Sequence, residues 1–258
     1  MKKIKLITLF MVIIVFAIAD PFEIGAYFQP QKTQKGEAEK TDVLITNENG
    51  TGSSLTIEFE KGEAHNHPLM AIWVEDTSGN YLQTLYVARS IATGVFNFGD
   101  ASTGEWKQGE VRRPAALPYW AHKRGVKEED GLYMPTPKTP VPDAYTGATP
   151  QNNFVLNTRF DKPGPQVFDV YMEINQPWDW NEFWTNNKYP DNEDYKASAQ
   201  PAVVYKARVD LRQKIAFFEM RPIGHSHYAG ETGELFSDLS TITTALNIAE
   251  SIRVNVGN

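Results

Sequence analysis

Short apolar runs, each closed by a cluster of Gly, Pro, Asn or Asp, constrain this chain more than any other feature. Leu55-Thr56-Ile57-Glu58-Phe59 alternates with period two, which puts every second side chain on one face of a strand. Leu69 to Val74 is an almost unbroken apolar run; Asp76-Thr77-Ser78-Gly79-Asn80 and a second run, Tyr81 to Val87, follow it. Two runs joined by a Gly-containing turn predict a hairpin. Phe154–Phe160, Val167–Ile174, Val203–Leu211 and Ile215–Met220 continue the series. The pairs flanking Asp161–Pro165 and Arg212–Lys214 predict two further hairpins. Helical signal is sparse: Leu239, Ile242, Leu246 and Ala249 are spaced for one helix face behind Ser237 and Asp238, either of which suits an N-cap. Ile252, Val254 and Val256 alternate again as a closing strand. The pattern predicts an all-β fold: an immunoglobulin-like antiparallel β-sandwich with a long irregular insertion, about Phe98 to Asn153, and a short C-terminal helix. Long loops in compact domains are uncommon and often carry function.

Residues 1–19 set the expected address. Lys2, Lys3 and Lys5 precede an apolar run from Leu6 to Ala19 that ends in Ala17-Ile18-Ala19. That is the layout of a signal peptide, with Asp20 as the mature start, and the run falls short of the roughly 20 residues that span a bilayer. The expected product is periplasmic or secreted and not membrane-embedded. Its polar lead-in, residues 20–40, precedes a single β-sandwich domain over 41–258. The chain has no cysteine, so disulfides, thiolate metal sites, covalent c-type haem and a lipidated cysteine are excluded, and packing alone must stabilise the fold. The formal charge is −7, and without the three early lysines 22 basic residues face 32 acidic ones, a balance of −10. Such a chain is a poor partner for nucleic acid or anionic lipid.

Within the insertion, Asp143-Ala144-Tyr145-Thr146-Gly147-Ala148-Thr149 carries a chemical signature. It resembles the acceptor motif of the FMN-binding subunits of sodium-pumping and Rnf-type electron-transport complexes, Asp-x-x-(Ser/Thr)-Gly-Ala-Thr. Asp143, Thr146, Gly147, Ala148 and Thr149 all match. The resemblance implies covalent FMN on Thr149, joined through a phosphoester by an FMN transferase. An alcohol is needed for the ester; Gly147 and Ala148 keep the backbone thin, and Gly147 can take φ > 0. A second resemblance, to an uncharacterised family of predicted periplasmic proteins (a domain of unknown function), rests on four stretches. They are Met70–Asp76 with its hairpin, Asp143–Thr149, Val170-Tyr171-Met172-Glu173 and Gln200–Tyr205. It implies a periplasmic β-sandwich, similar also to the immunoglobulin-like module of flagellar hook-capping proteins. The same Thr-Gly-Ala-Thr-Pro residues equally suit a plain turn before the strand at Phe154.

Other constellations have competing readings too. His65-Asn66-His67 and His225-Ser226-His227 would each present two imidazoles on one face of a strand, a donor set for copper or zinc if the pairs meet; packed or solvated histidines are the commoner outcome. Gly224-His225-Ser226-His227-Tyr228 lacks the final glycine and the strand–turn–helix setting of a nucleophile elbow, which argues against a hydrolase. Trp178-Asp179-Trp180-Asn181-Glu182-Phe183-Trp184, with Tyr189 and Tyr195, would either stack on a sugar or isoalloxazine ring or cover one end of the core. Asp191, Glu193 and Asp194 lack the EF-hand order and read as a solvated loop. Arg112, Arg113, Lys123 and Arg124 bracket Trp120 as an exposed basic patch or as contacts for an FMN phosphate. The reading that emerges is an electron-transfer or accessory redox module, not a turnover enzyme, with a periplasmic or membrane redox protein as electron donor. The alternatives are a non-redox binding or scaffold module and a histidine-based metal carrier.

Overall fold

A computed structural model describes residues 40–257; the expected signal peptide (1–19) and all but the last residue of the lead-in (20–40) lie outside them. The strands are β1 (Thr41–Ile45), β2 (Ser54–Lys61), β3 (Leu69–Asp76), β4 (Tyr81–Ala88), β5 (Val95–Asp100), β6 (Lys107–Glu110), β7 (Thr146–Gly147), β8 (Asn153–Arg159), β9 (Val167–Asn175), β10 (Val203–Asp210), β11 (Phe218–Glu219), β12 (Arg221–His225) and β13 (Ala249–Val256). Three short helices join them: α1 (Arg89–Thr93), α2 (Pro118–Arg124) and α3 (Glu193–Ser198). Two sheets form the sandwich, ordered β1-β8-β2-β13-β11 and β12-β10-β9-β3-β4-β7, and β5 and β6 form a separate ribbon. The expected all-β layering is present. Most pairings are antiparallel, but β1–β8 and β4–β7 are parallel.

The alternation in β2 explains its placement: Leu55, Ile57 and Phe59 are buried while the residues between them face outward. Together with Phe154, Leu156, Ile252 and Val254 they meet Met70, Ile72, Val74, Phe168, Val170 and Met172 of the other sheet in one core. β3 does not alternate, because both its faces are covered. Its second face, with Leu69, Ala71 and Trp73, packs under Leu117, Tyr119, Trp120 and Met134 of the insertion. The insertion is therefore a third layer on the six-stranded sheet. It contains the β5–β6 ribbon, α2 and β7, and is far less irregular than expected.

Buried acids tie that layer down. Glu173 on β9 is fully enclosed and accepts the backbone N–H groups of Tyr119 (3.2 Å) and Trp120 (2.7 Å) at the start of α2. Burial pushes its carboxyl up to about 8, against the opposing pull of those two N–H donors. Glu75 on β3, also fully buried, accepts from the Trp73 indole (2.9 Å) and pairs with Lys123 Nζ at 3.1 Å.

Three expectations are corrected. The Asp161–Pro165 segment is not a hairpin turn, since β8 and β9 belong to different sheets and the segment arches between them. Phe160 and Phe168 meet edge to face inside that arch, 5.0 Å apart. Beyond Arg212–Lys214, the strand that returns against β10 is β12, while β11 joins β13 in the opposite sheet. The C-terminal α-helix is only a 3-10 turn, Thr244–Asn247, before β13. Asp238 does cap its local backbone, accepting from Ser240 N–H, but Thr241, Thr243 and Thr244 bond outward to Trp184, Gln200 and Asp179. Side chains so engaged compete with helix formation. Among the described residues no helix is long and apolar enough to cross a membrane.

Candidate functional site

A cleft of about 980 Å³ opens where the insertion meets one end of the six-stranded sheet. The β5–β6 ribbon supplies Phe96, Phe98, Trp106 and Gln108; α1 supplies Arg89, Ser90 and Thr93; Arg113 follows β6, and Pro177 and Trp178 follow β9. Ala148 and Thr149, just beyond β7, complete the wall. Phe98, Trp106 and Trp178 are 73%, 67% and 64% exposed, a concentration of aromatic surface that a solvated site does not require.

The cleft is also electrostatically distinct. In a chain with excess acid, none of its lining residues is Asp or Glu, and two are arginines. Arg113 lies over the Phe96 ring at 4.5 Å and near the Trp178 ring at 5.8 Å. Its Nε is buried without a hydrogen-bond partner, and burial holds the guanidinium below its ordinary value. Neither Arg113 nor Arg89 has an ion-pair partner among the described residues. A half-buried cation without a counter-ion loses solvation that an anionic or hydrogen-bond-accepting ligand would restore. Among the described residues four non-glycine positions have positive φ, and two of them, His67 (57°) and Trp178 (60°), line the same cleft. For a bulky side chain the left-handed region costs about 1–2 kcal/mol.

The motif residues are held from several sides. Asp143 is exposed and opens a 3-10 turn, Asp143–Tyr145, anchored by Asn47 N–H to the Ala144 carbonyl (2.8 Å) and by the Tyr145 hydroxyl to Asp161 (2.7 Å). Thr146 is buried and pairs with Val87, and Gly147 pairs with Ala88. Gly147 is extended in β7, so the expected use of positive φ is replaced by another need. A Cβ there would sit 2.7 Å from Cε2 of Tyr86, whose hydroxyl donates to the Ala148 carbonyl at 2.8 Å. Ala148 is exposed, and Thr149 is half-buried with a hydroxyl that makes no hydrogen bond among the described residues. The turn reading thus accounts for Thr146 and Gly147 but leaves the Thr149 hydroxyl unused.

The histidines sit differently from expectation. His65 and His67 lie in the β2–β3 loop, and His227 lies beyond β12, so the shared-face argument for strands applies to neither pair. His65 packs on Phe59 and His67 bonds Asn66. His225 stacks on Phe236, and His227 Nδ1 accepts from Ala229 N–H. Among the described residues no three His, Cys, Asp or Glu side chains gather to hold a metal ion. Ser226 is fully buried and donates to the Ala202 carbonyl.

The tryptophan segment divides between its two readings. Trp184 is buried against Tyr195, Tyr228 and His225, covering the end of the core, whereas Trp178 faces the cleft. Of the expected basic patch only Arg113 reaches the cleft: Arg112 pairs with Asp130, Lys123 with Glu75, and Arg124 lies over Trp120. Asp191, Glu193 and Asp194 lie at or before α3, where Asn192 is the N-cap. Sequence reasoning missed Arg89, Phe96, Phe98 and Trp106. Their clearest signal was a pair of exposed aromatics, Phe98 and Trp106, in a polar ribbon. No protein family, no curated protein and no solved structure matches this chain.

Proposed function

We propose that this chain is a periplasmic or secreted redox module that carries FMN on Thr149 through a phosphoester. One observation supports the reading above all: Thr149, with its unengaged hydroxyl, lines a cleft that is aromatic, cationic and free of carboxylates. The residues fit the group. A planar aromatic ring suits Phe96, Trp106 and Trp178, and an anionic phosphate suits a wall with two arginines and no acid. When bound, the flavin supplies one- and two-electron transfer, while the protein supplies attachment, burial and orientation. Tyr86 and the β4–β7 pairing would hold the Thr149 backbone still, and the β5–β6 ribbon would limit water at the ring. An FMN transferase is the maturation partner, with the Thr149 hydroxyl oxygen displacing AMP from the FMN phosphate of FAD and giving up its proton, and a periplasmic or membrane reductase is the electron donor. The second reading, a non-redox binding module, draws on the same exposed aromatics.

The test is coexpression with an FMN transferase followed by intact-mass measurement. The reading expects one added FMN on the wild type and on Thr149→Ser, and none on Thr149→Ala. A wild-type protein without the increment, or one whose increment survives in Thr149→Ala, would sink the flavin reading and leave the binding module.

A further inference from the structure

The two cleft arginines reach it from different places. Ala88 is paired with Gly147 at the last step of a parallel pairing. Just beyond that step both segments line the cleft, with Arg89 and Ser90 from one and Ala148 and Thr149 from the other. Arg89 is exposed and lines the same cleft as Thr149. Arg113 arrives from the far side of the insertion and is set among rings, over Phe96 and beside Trp178, with its Nε buried and unpartnered. A planar guanidinium stacked in this way offers a flat surface and directed N–H donors to a flat ligand with acceptors on its edge. An exposed guanidinium in the same cleft as the attachment hydroxyl offers charge to a phosphate.

We propose that Arg89 and Arg113 divide the recognition of a flavin nucleotide, Arg89 taking the phosphate end beside Thr149 and Arg113 the ring end between Phe96 and Trp178. This rests on the cleft being the flavin site, but it does not require that the ester has formed. Two ligands separate the two ends: FMN has both, and riboflavin has only the ring. Each arginine should contribute about tenfold in affinity to the end it serves, the scale of one charge-assisted contact.

The experiment titrates FMN and riboflavin into the full chain made without an FMN transferase, at low salt, following flavin fluorescence. The wild type should bind FMN more tightly than riboflavin. Arg89→Gln should lose about tenfold for FMN and little for riboflavin, and Arg113→Gln should lose about tenfold for both. Circular dichroism checks the fold of each variant. If Arg113→Gln does not fold, Arg113→Lys, which keeps the charge but not the planar fork, should show the loss for both ligands. Equal losses for the two ligands in Arg89→Gln, a loss confined to FMN at Arg113, or no binding of either flavin overturns the division. The intact mass separates the two ideas. Normal attachment at Thr149 with no effect of either arginine upholds the attachment alone, and the ligand split without any mass increment upholds the division alone.

Discussion

Replacing Glu173 by Gln tests whether the third layer is clamped by a buried acid that prefers to be neutral. Burial lifts the Glu173 carboxyl from its ordinary value of 4.5 to about 8 in the folded chain. Protonation therefore favours the fold: the stabilisation is complete below the unfolded value and is lost as pH rises through the folded one. At 1.36 kcal/mol per decade, the full difference is about 5 kcal/mol, and about 4 kcal/mol of it falls between pH 5 and 9. Glutamine cannot ionise, so the variant lacks this slope. It also leaves one of the N–H groups of Tyr119 and Trp120 without a carboxylate oxygen, a pH-independent offset of about 1–2 kcal/mol. Urea unfolding followed by tryptophan fluorescence at pH 5, 7 and 9 measures both. Wild type should lose stability relative to Glu173→Gln as pH rises. Other acids cancel in that difference, including Asp169, whose burial opposes ionisation but which Arg208 and Lys206 hold below its ordinary value. A difference constant to within about 1 kcal/mol over this range refutes the assignment of Glu173 as a buried, proton-holding clamp.

Two further outcomes follow from close contacts. Gly147→Ala drives a methyl into the enclosed Tyr86 ring and should destabilise the chain by about 1–3 kcal/mol; an unchanged urea midpoint would mean the ring yields freely. Lys123→Met strands the buried Glu75 carboxylate at a loss on the order of 3 kcal/mol, and Lys123→Met with Glu75→Gln should recover most of it in the same unfolding assay.

Much of the sandwich was legible because half-buried strands announce themselves. β2 and the β3–β4 hairpin are found where alternation and the Asp76–Asn80 turn put them, with Asp76 accepting from Ser78 and Asn80 N–H. Turn residues, however, do not distinguish a hairpin from an arch between sheets, and the Asp161–Pro165 and Arg212–Lys214 segments both lead to a strand of the opposite sheet. β1 was invisible for a related reason: Val43 and Ile45 face outward at an edge, 65% and 60% exposed, so no burial pattern marks it. The unbroken apolar run in β3 was the trace of a third layer, yet a continuous run alone does not say what covers its second face. Of the residues that line the cleft, Thr149 stands out in the sequence through the motif resemblance and Arg113 through its place in a basic cluster. Arg89 joined them only through the register of β4 against β7, a long-range pairing that local pattern does not encode.

That pairing has a consequence for association between copies. β4 is an edge of the six-stranded sheet except where Thr146 and Gly147 occupy Val87 and Ala88, and where the Thr46 hydroxyl takes the Leu85 carbonyl. An unprotected sheet edge is a template for another chain. The segment that presents Thr149 is therefore also a guard against self-association. A variant that frees β7 should recruit a second molecule to the exposed strand, seen as a concentration-dependent rise in mass by light scattering; a strictly monomeric variant would refute the guard.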